Sequence, residues 1–232
     1  MLFVVVLVGL SVVLILTYDA LDEAVIVLDE PGVRSEGNVI LLSASEAVGN
    51  VVFYPGGLVQ AEAYLVAGYR LKAAGFNVYI VKMPLNLAVL NNDAFDAIYE
   101  RYESDLPWVV VGHSLGGAMI PYGNVDKMNG IVLLAAYFAE GIDFSELDIP
   151  VLSITATEDG VFDFSRYEVF KDQLPGDAVY RSIEDGNHAH FGYYGAQRGD
   201  NDSQITRSQQ HDIYVDWIID FVESRVLKEV TK

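Results

Sequence analysis

The sequence contains no cysteine, which excludes disulfides, thiolate metal sites and thiol catalysis, and leaves any serine nucleophile without a thiol competitor. Basic residues are also scarce, with 14 Lys and Arg against 33 Asp and Glu, a net charge of −19. That charge repels phosphate backbones and anionic lipid surfaces, so no nucleic-acid partner is expected. Only four histidines are present, His113, His188, His190 and His211, so candidates for an imidazole base are few. Internal repeats and low-complexity linkers are missing as well. The 232 residues, 52% of them hydrophobic, suffice for one sizeable domain with a real core and are too few for two of ordinary size.

What is present begins with an apolar run from Leu2 to Leu16, broken only by Gly9 and Ser11. As a helix it would reach roughly 22–24 Å, short for a bilayer core and long for a signal-peptide apolar region. Both a membrane anchor and a secretion signal fit residues 1–17. Tyr18 stands where a small residue is wanted before a cleavage point, which favours an uncleaved anchor. No Lys or Arg precedes the run, so a basic flank cannot set its orientation.

Beyond it, β-rich and helical stretches alternate. Val25–Leu28 and Asn38–Leu42 are expected to form an antiparallel pair at a sheet edge. Strands are expected over Val51–Tyr54, Asn77–Val81, Trp108–Val111, Ile131–Leu134, Val151–Ile154 and Val179–Ile183, and helices over Ala61–Ala74, Asp93–Tyr102, Ser114–Tyr122 and Asp212–Val226. Strands alternating with helices imply an α/β fold with a mostly parallel central sheet. One junction carries chemistry. Gly112-His113-Ser114-Leu115-Gly116-Gly117 follows an apolar strand and opens a helix, a Gly-x-Ser-x-Gly elbow that holds a serine hydroxyl outward on a tight turn.

The order of elements over residues 21–232, with Tyr54-Pro55-Gly56-Gly57-Leu58, Lys82-Met83-Pro84, Gly112–Gly117 and Gly186-Asn187-His188-Ala189-His190-Phe191-Gly192, resembles the α/β-hydrolase superfamily. More narrowly, these motifs look like a small bacterial branch near the dienelactone-hydrolase-like proteins. The resemblance implies an α/β-hydrolase fold with helices flanking the sheet and a catalytic domain over 21–232. It also implies a triad in the chain order Ser, acid, His, each on a loop at a strand's carboxyl end. Ser114 is the expected nucleophile. Asp159 is the acid favoured over Glu158 and Asp163, because it precedes Gly160 and matches the family position. His188 is the base favoured over His190; His113 sits beside the nucleophile with its ring expected to point away, and His211 lies beyond the loop. Backbone N–H groups of Leu115 and Gly57, with Leu58 in reserve, are the expected oxyanion donors. Pro55 stands where many relatives carry a histidine, which removes a side-chain support but not the backbone donor.

Neither glycine turn completes a dinucleotide or phosphate-loop pattern, so no cofactor is expected. Asp200-Asn201-Asp202 could offer oxygens to Ca²⁺ but lacks the twelve-residue loop pattern, so it reads as a solvated loop and no metal site is expected. Only Ala135–Pro150 is available for an inserted lid, which predicts an open cleft with no separate cap domain, walled by Tyr137, Phe138, Tyr193, Tyr194 and Met83–Leu87. The expected activity is a serine hydrolase acting on a small-molecule carboxylic ester or related acyl bond. Thioesterase and peptidase chemistry on the same triad, or a membrane-anchored binding protein with a relic triad, are the alternatives. The expected location is the bacterial cell envelope, membrane-anchored or exported.

Overall fold

Near-continuous apolar strands need both faces covered, and four of the parallel strands here have every residue buried: β3 (Gly49–Tyr54), β5 (Trp108–His113), β6 (Gly130–Leu134) and β7 (Val151–Ala156). In the computed structural model, which describes residues 16–230, these strands form the centre of an eight-stranded sheet of order β1-β2-β4-β3-β5-β6-β7-β8. The flanking strands are β1 (Val33–Glu36), β2 (Val39–Leu42), β4 (Phe76–Val81) and β8 (Val179–Ile183). β3 to β8 run parallel, so their carboxyl ends share one edge, while β1 and β2 are antiparallel. The expected fold class is therefore the one observed. The apolar run falls outside the described residues except for Leu16, and no helix among the described residues is long and apolar enough to cross a membrane.

Helices α2 (Leu65–Ala73), α3 (Ala94–Tyr102), α4 (Leu115–Met119) and α6 (Arg207–Phe221) occupy stretches expected to be helical, and α5 (Phe164–Phe170) is an addition. The first expected strand is a correction. Val25–Leu28 is helical, split between α1 (Asp22–Val25) and a 3₁₀ turn Ile26–Asp29, with Ala24 buried and Ile26 67% exposed. The edge strand is instead Val33–Glu36, whose Arg34 and Ser35 point to solvent as an outermost strand permits. Its partner is fixed by the two-residue turn Gly37-Asn38, where Gly37 takes φ 64° and Glu36 pairs with Val39. The last helix also starts five residues earlier than expected, at a capping box in which Thr206 and Gln209 satisfy each other's backbone N–H groups.

Register sets the neighbours at the carboxyl edge. Tyr54 pairs with Gly112, which brings Pro55-Gly56-Gly57 beside Ser114. Ala156 pairs with Ile183, which brings the loops carrying Asp159 and His188 together, and Glu158 N–H donates to Gly186 O at 2.8 Å. The chain from β6 to β7 is a short excursion without a separate cap.

α4 can follow β5 at once only because glycine lets the backbones touch. A Cβ on Gly116 would overlap the carbonyl oxygens of Tyr54 and Pro55, and one on Gly112 would overlap Gly117 Cα. Gly116→Ala is therefore expected to destabilise the fold by about 1–3 kcal/mol. Gly176→Ala, where a Cβ meets nothing within 4 Å, should leave stability within about 0.5 kcal/mol of the unsubstituted protein. Thermal unfolding of the two variants checks the contrast.

Candidate active site

Six non-glycine residues have positive φ among the described residues: Leu58, Leu85, Asn86, Ser114, Ala135 and Asp185. Each lies on a loop just after β3, β4, β5, β6 or β8, at the common carboxyl edge. Backbone strain of this kind costs roughly 1–3 kcal/mol per residue and persists only where packing enforces it. Ser114, at φ 50° and ψ −121°, stands between β5 and α4, with its N–H bonded to Leu134 O at 2.9 Å. This is the strained strand-to-helix turn expected of the elbow.

Asp159 and His188 meet across the adjoining loops. His188 Nδ1 lies 2.7 Å from Asp159 Oδ2, and both side chains are buried. Asp159 Oδ1 accepts the N–H groups of Val161 and Phe162 at 2.9 and 2.8 Å, which fixes the carboxylate's plane. A carboxylate on Nδ1 makes that nitrogen the donor and leaves Nε2 as the basic site. Nε2 has no hydrogen-bond partner among the described residues, and His188 and Ser114 line the same cavity. The other acids are elsewhere. Asp163 caps α5 by accepting from Arg166 N–H, and Glu158 makes no side-chain hydrogen bond to a histidine.

The remaining histidines are held neutral. His113 is fully buried, and its Nδ1 lies 2.8 Å from the Tyr64 hydroxyl, which itself accepts the Gly56 N–H at 2.9 Å. The hydroxyl proton then has His113 Nδ1 as its acceptor, so His113 carries its own proton on Nε2. Burial, then His188 and His211, drive the His113 pKa well below its usual 6.5. Its ring packs 4.6 Å from that of His188, so this neutrality spares the neighbour a second positive charge. His211 is likewise driven down by burial and bonds Tyr214, and burial brings His190 to about 4.

Several residues that hold the site were not legible as such in the sequence. The Asp200 carboxylate is neither a solvated charge nor free for a cation. Its Oδ1 accepts from the N–H groups of Gly160, His188 and Asn201 at 3.0, 3.3 and 3.1 Å, and its Oδ2 from Ala189 at 2.8 Å. It thus pins the loop of Asp159 to the loop of His188. From the other side, α6 presents Arg207, Gln210 and Tyr214 on one face. Gln210 pairs with both the N–H and the C=O of Asn187, at 3.0 and 2.8 Å, Arg207 donates to Ala189 O and Gly192 O, and Tyr214 donates to Phe191 O. A polar face reading loop backbone has no apolar periodicity to reveal it.

Of the two candidates in the glycine turn, Leu58 spends its N–H on Asn86 O at 2.7 Å, whereas Gly57 and Leu115 have no acceptor for theirs among the described residues. The two are in contact, since a Cβ on Gly57 would lie 3.0 Å from Leu115 Cδ2. The cavity bordered by Ser114, Leu115 and His188 has a volume of about 250 Å³ and is mainly apolar, with Ala118, Ala135, Ala136, Tyr137, Val161 and Phe162 on its walls. Of the expected walls only Tyr137 lines it. Phe138 and Tyr194 are buried in the core, Tyr193 packs on His211, and the Met83–Leu87 segment braces the glycine turn through Asn86.

Two outcomes follow from this geometry. Asp200→Ala strands four backbone donors and should cost about 1–3 kcal/mol of stability together with most of the activity, whereas Asp202→Ala, which removes an exposed side chain, should change neither. Denaturant midpoints and turnover rates check both. Separately, His113, His190 and His211 have folded pKa values below their unfolded 6.5, so the unfolded chain binds more protons in acid. Their contribution to stability is fully present above about pH 6.5 and is lost as pH falls, by up to about 1.4 kcal/mol per pH unit for each. Denaturant titrations at pH 7 and pH 5 should show the loss.

The sequence profile of the alpha/beta hydrolase family matches residues 50–212. A search of curated proteins finds no match in sequence. Among solved structures, the predicted CIB-like hydrolase of Thermoplasma acidophilum superposes with a TM-score of 0.63 at 14% identity, covering 81% of this chain and 98% of that one. An alpha/beta hydrolase enzyme from the sediment metagenome of the Mar Chica lagoon in Morocco gives 0.61 at 16%, covering 83% and 98%. A monoacylglycerol lipase of Paleococcus ferrophilus gives 0.61 at 15%, covering 81% and 100%. At such identities the likeness is one of fold. The profile match reaches from β3 into α6 and takes in every residue that borders the cavity, and on that match the chain belongs to the alpha/beta hydrolase family.

Proposed function

We propose that this hydrolase cleaves carboxylic esters through an acyl intermediate on Ser114, with His188 as base and then acid and Asp159 as its orienting carboxylate. The observation that carries the reading is the buried 2.7 Å Asp159–His188 pair opening onto the same cavity as a serine at φ 50°. A serine hydroxyl attacks poorly until a neutral imidazole takes its proton, and that imidazole needs a carboxylate to hold its tautomer and balance its later charge. No hydrogen bond joins Ser114 Oγ to His188 Nε2 here; in this reading the bond tightens when substrate enters, as is common for such pairs.

In the proposed cycle, Ser114 Oγ forms a bond to the acyl carbon while its proton passes to His188 Nε2. The N–H groups of Gly57 and Leu115, otherwise without acceptors, receive the carbonyl oxygen as it becomes an oxyanion. The bond to the leaving alcohol then breaks and His188 supplies the alcohol's proton. Water attacks the acyl carbon, again giving its proton to His188, and Ser114 is released with that proton. The cavity walls around Ser114 carry no charged side chain, which suits a neutral acyl group. The Paleococcus ferrophilus protein of this fold, a lipase, acts on an ester, the bond class proposed here.

Ser114→Ala should abolish both fluorophosphonate labelling and hydrolysis of short acyl esters, with the fold retained by circular dichroism; labelling that persists would remove Ser114 from the mechanism. His188→Ala should lower kcat by roughly 10⁴-fold or more, while His190→Ala should stay within a few-fold of the unsubstituted enzyme. The paired kcat values discriminate the two histidines.

A further inference from the structure

The segment after the apolar run is bound to the rim of the cavity. Tyr18 forms a parallel bridge with Val59, its N–H donating to Leu58 O at 2.7 Å and its carbonyl accepting from Gln60. Ala20 forms an antiparallel bridge with Tyr194, and Leu21 N–H donates to Tyr193 O at 2.8 Å. Tyr18–Leu21 is therefore a strap joining the glycine turn to the loop that follows His188. Because the Tyr18–Val59 pairing is parallel, the chain reaches the strap from the Gly57 side. One residue, Thr17, separates Leu16 from the first bridged position.

The same edge carries exposed apolar side chains. Leu85, Val89 and Leu90, on the loop after β4 that braces the glycine turn, Val161, on the loop after β7, and Phe164, the first residue of α5, are 38–52% exposed, as is Leu16. Val161 also lines the cavity. Large aliphatic and aromatic side chains grouped around a cavity mouth mark a surface that meets another apolar phase.

We propose that this edge docks on a bilayer of uncharged or zwitterionic lipid, with the Leu2–Leu16 run buried in it, so that the cavity opens onto the membrane and draws its acyl ester from there. The substrate class is then an amphiphilic lipid ester. The run is long enough to occupy most of a hydrocarbon core of about 30 Å, and it joins the fold at the cavity rim through a single residue. Such a tether holds the mouth against the surface in place of letting the domain swing. The net charge of −19 disfavours anionic lipid, which narrows the partner to neutral headgroups. An apolar collar at the membrane also supplies the access that a lid would otherwise control, in a chain with no separate cap.

This inference rests on the serine-hydrolase reading for its substrate but not for its docking, and the test separates the two. The full chain, Val89→Asp/Leu90→Asp, and a variant with ten Gly/Ser residues inserted between Leu16 and Thr17 are compared on phosphatidylcholine vesicles by flotation. Each is also assayed on a soluble short-chain ester and on a long-chain acyl ester embedded in the vesicles. The full chain should float and hydrolyse both esters. Val89→Asp/Leu90→Asp should keep short-ester hydrolysis and lose about ten-fold or more on the embedded ester. The insertion should still float yet show a similar loss on the embedded ester alone. A full chain that stays unbound, or variants that hydrolyse the embedded ester as fast as the full chain, would overturn the docking. Flotation without hydrolysis of either ester would instead overturn the hydrolase reading and with it the lipid-ester substrate.

Discussion

The backbone contact at Gly116 is the constraint from which the rest of the site follows. Where a side chain would stand, the carbonyl oxygens of Tyr54 and Pro55 press against the start of α4, and Gly112 and Gly117 meet in the same way one turn back. That contact lets the helix begin immediately after β5, forces Ser114 into a conformation other residues avoid, and brings the glycine turn after β3 against Leu115. Ser114 and the N–H groups of Gly57 and Leu115 are thus positioned by one packing event between adjacent parallel strands.

Asp159 and His188 depend on a different kind of support. Their loops follow β7 and β8, where the sheet ends in a polar edge strand, so apolar burial alone cannot hold them. Asp200 and the Arg207–Gln210–Tyr214 face of α6 supply charge-assisted and amide hydrogen bonds to loop backbone instead. Hydrogen bonds to a charged group contribute about 1.5–3 kcal/mol each. The neutral His113, wedged between the Tyr64 hydroxyl and the His188 ring, ties this half of the site back to the glycine turn.

Seen from the rim, the strap Tyr18–Leu21 closes the ring. It bridges the turn after β3 and the loop after β8. Strained backbone, free N–H donors and exposed apolar side chains gather at this edge because the parallel strands all end there, leaving loops free to take shapes that regular structure forbids.

The sequence by itself determined the sheet and the elbow, and it named Ser114, Asp159 and His188, which the fold brings to one edge. Period, glycine spacing and chain order are local signals, and Trp108–Gly117 carries all three. It misread Val25–Leu28 as a strand, because a short apolar run fits strand and helix alike and the true edge strand, Val33–Glu36, is too polar to stand out. Tertiary structure alone decided that Asp159 and not Glu158 or Asp163 meets a histidine, since neighbours in sequence differ only in where the turn aims them. It alone separated Gly57 from Leu58, by spending one N–H on Asn86. It alone made Asp200, Gln210 and Arg207 part of the site, because a polar side chain bonded to distant backbone leaves no pattern along the chain; that bond exists only once strand register has brought the loops together.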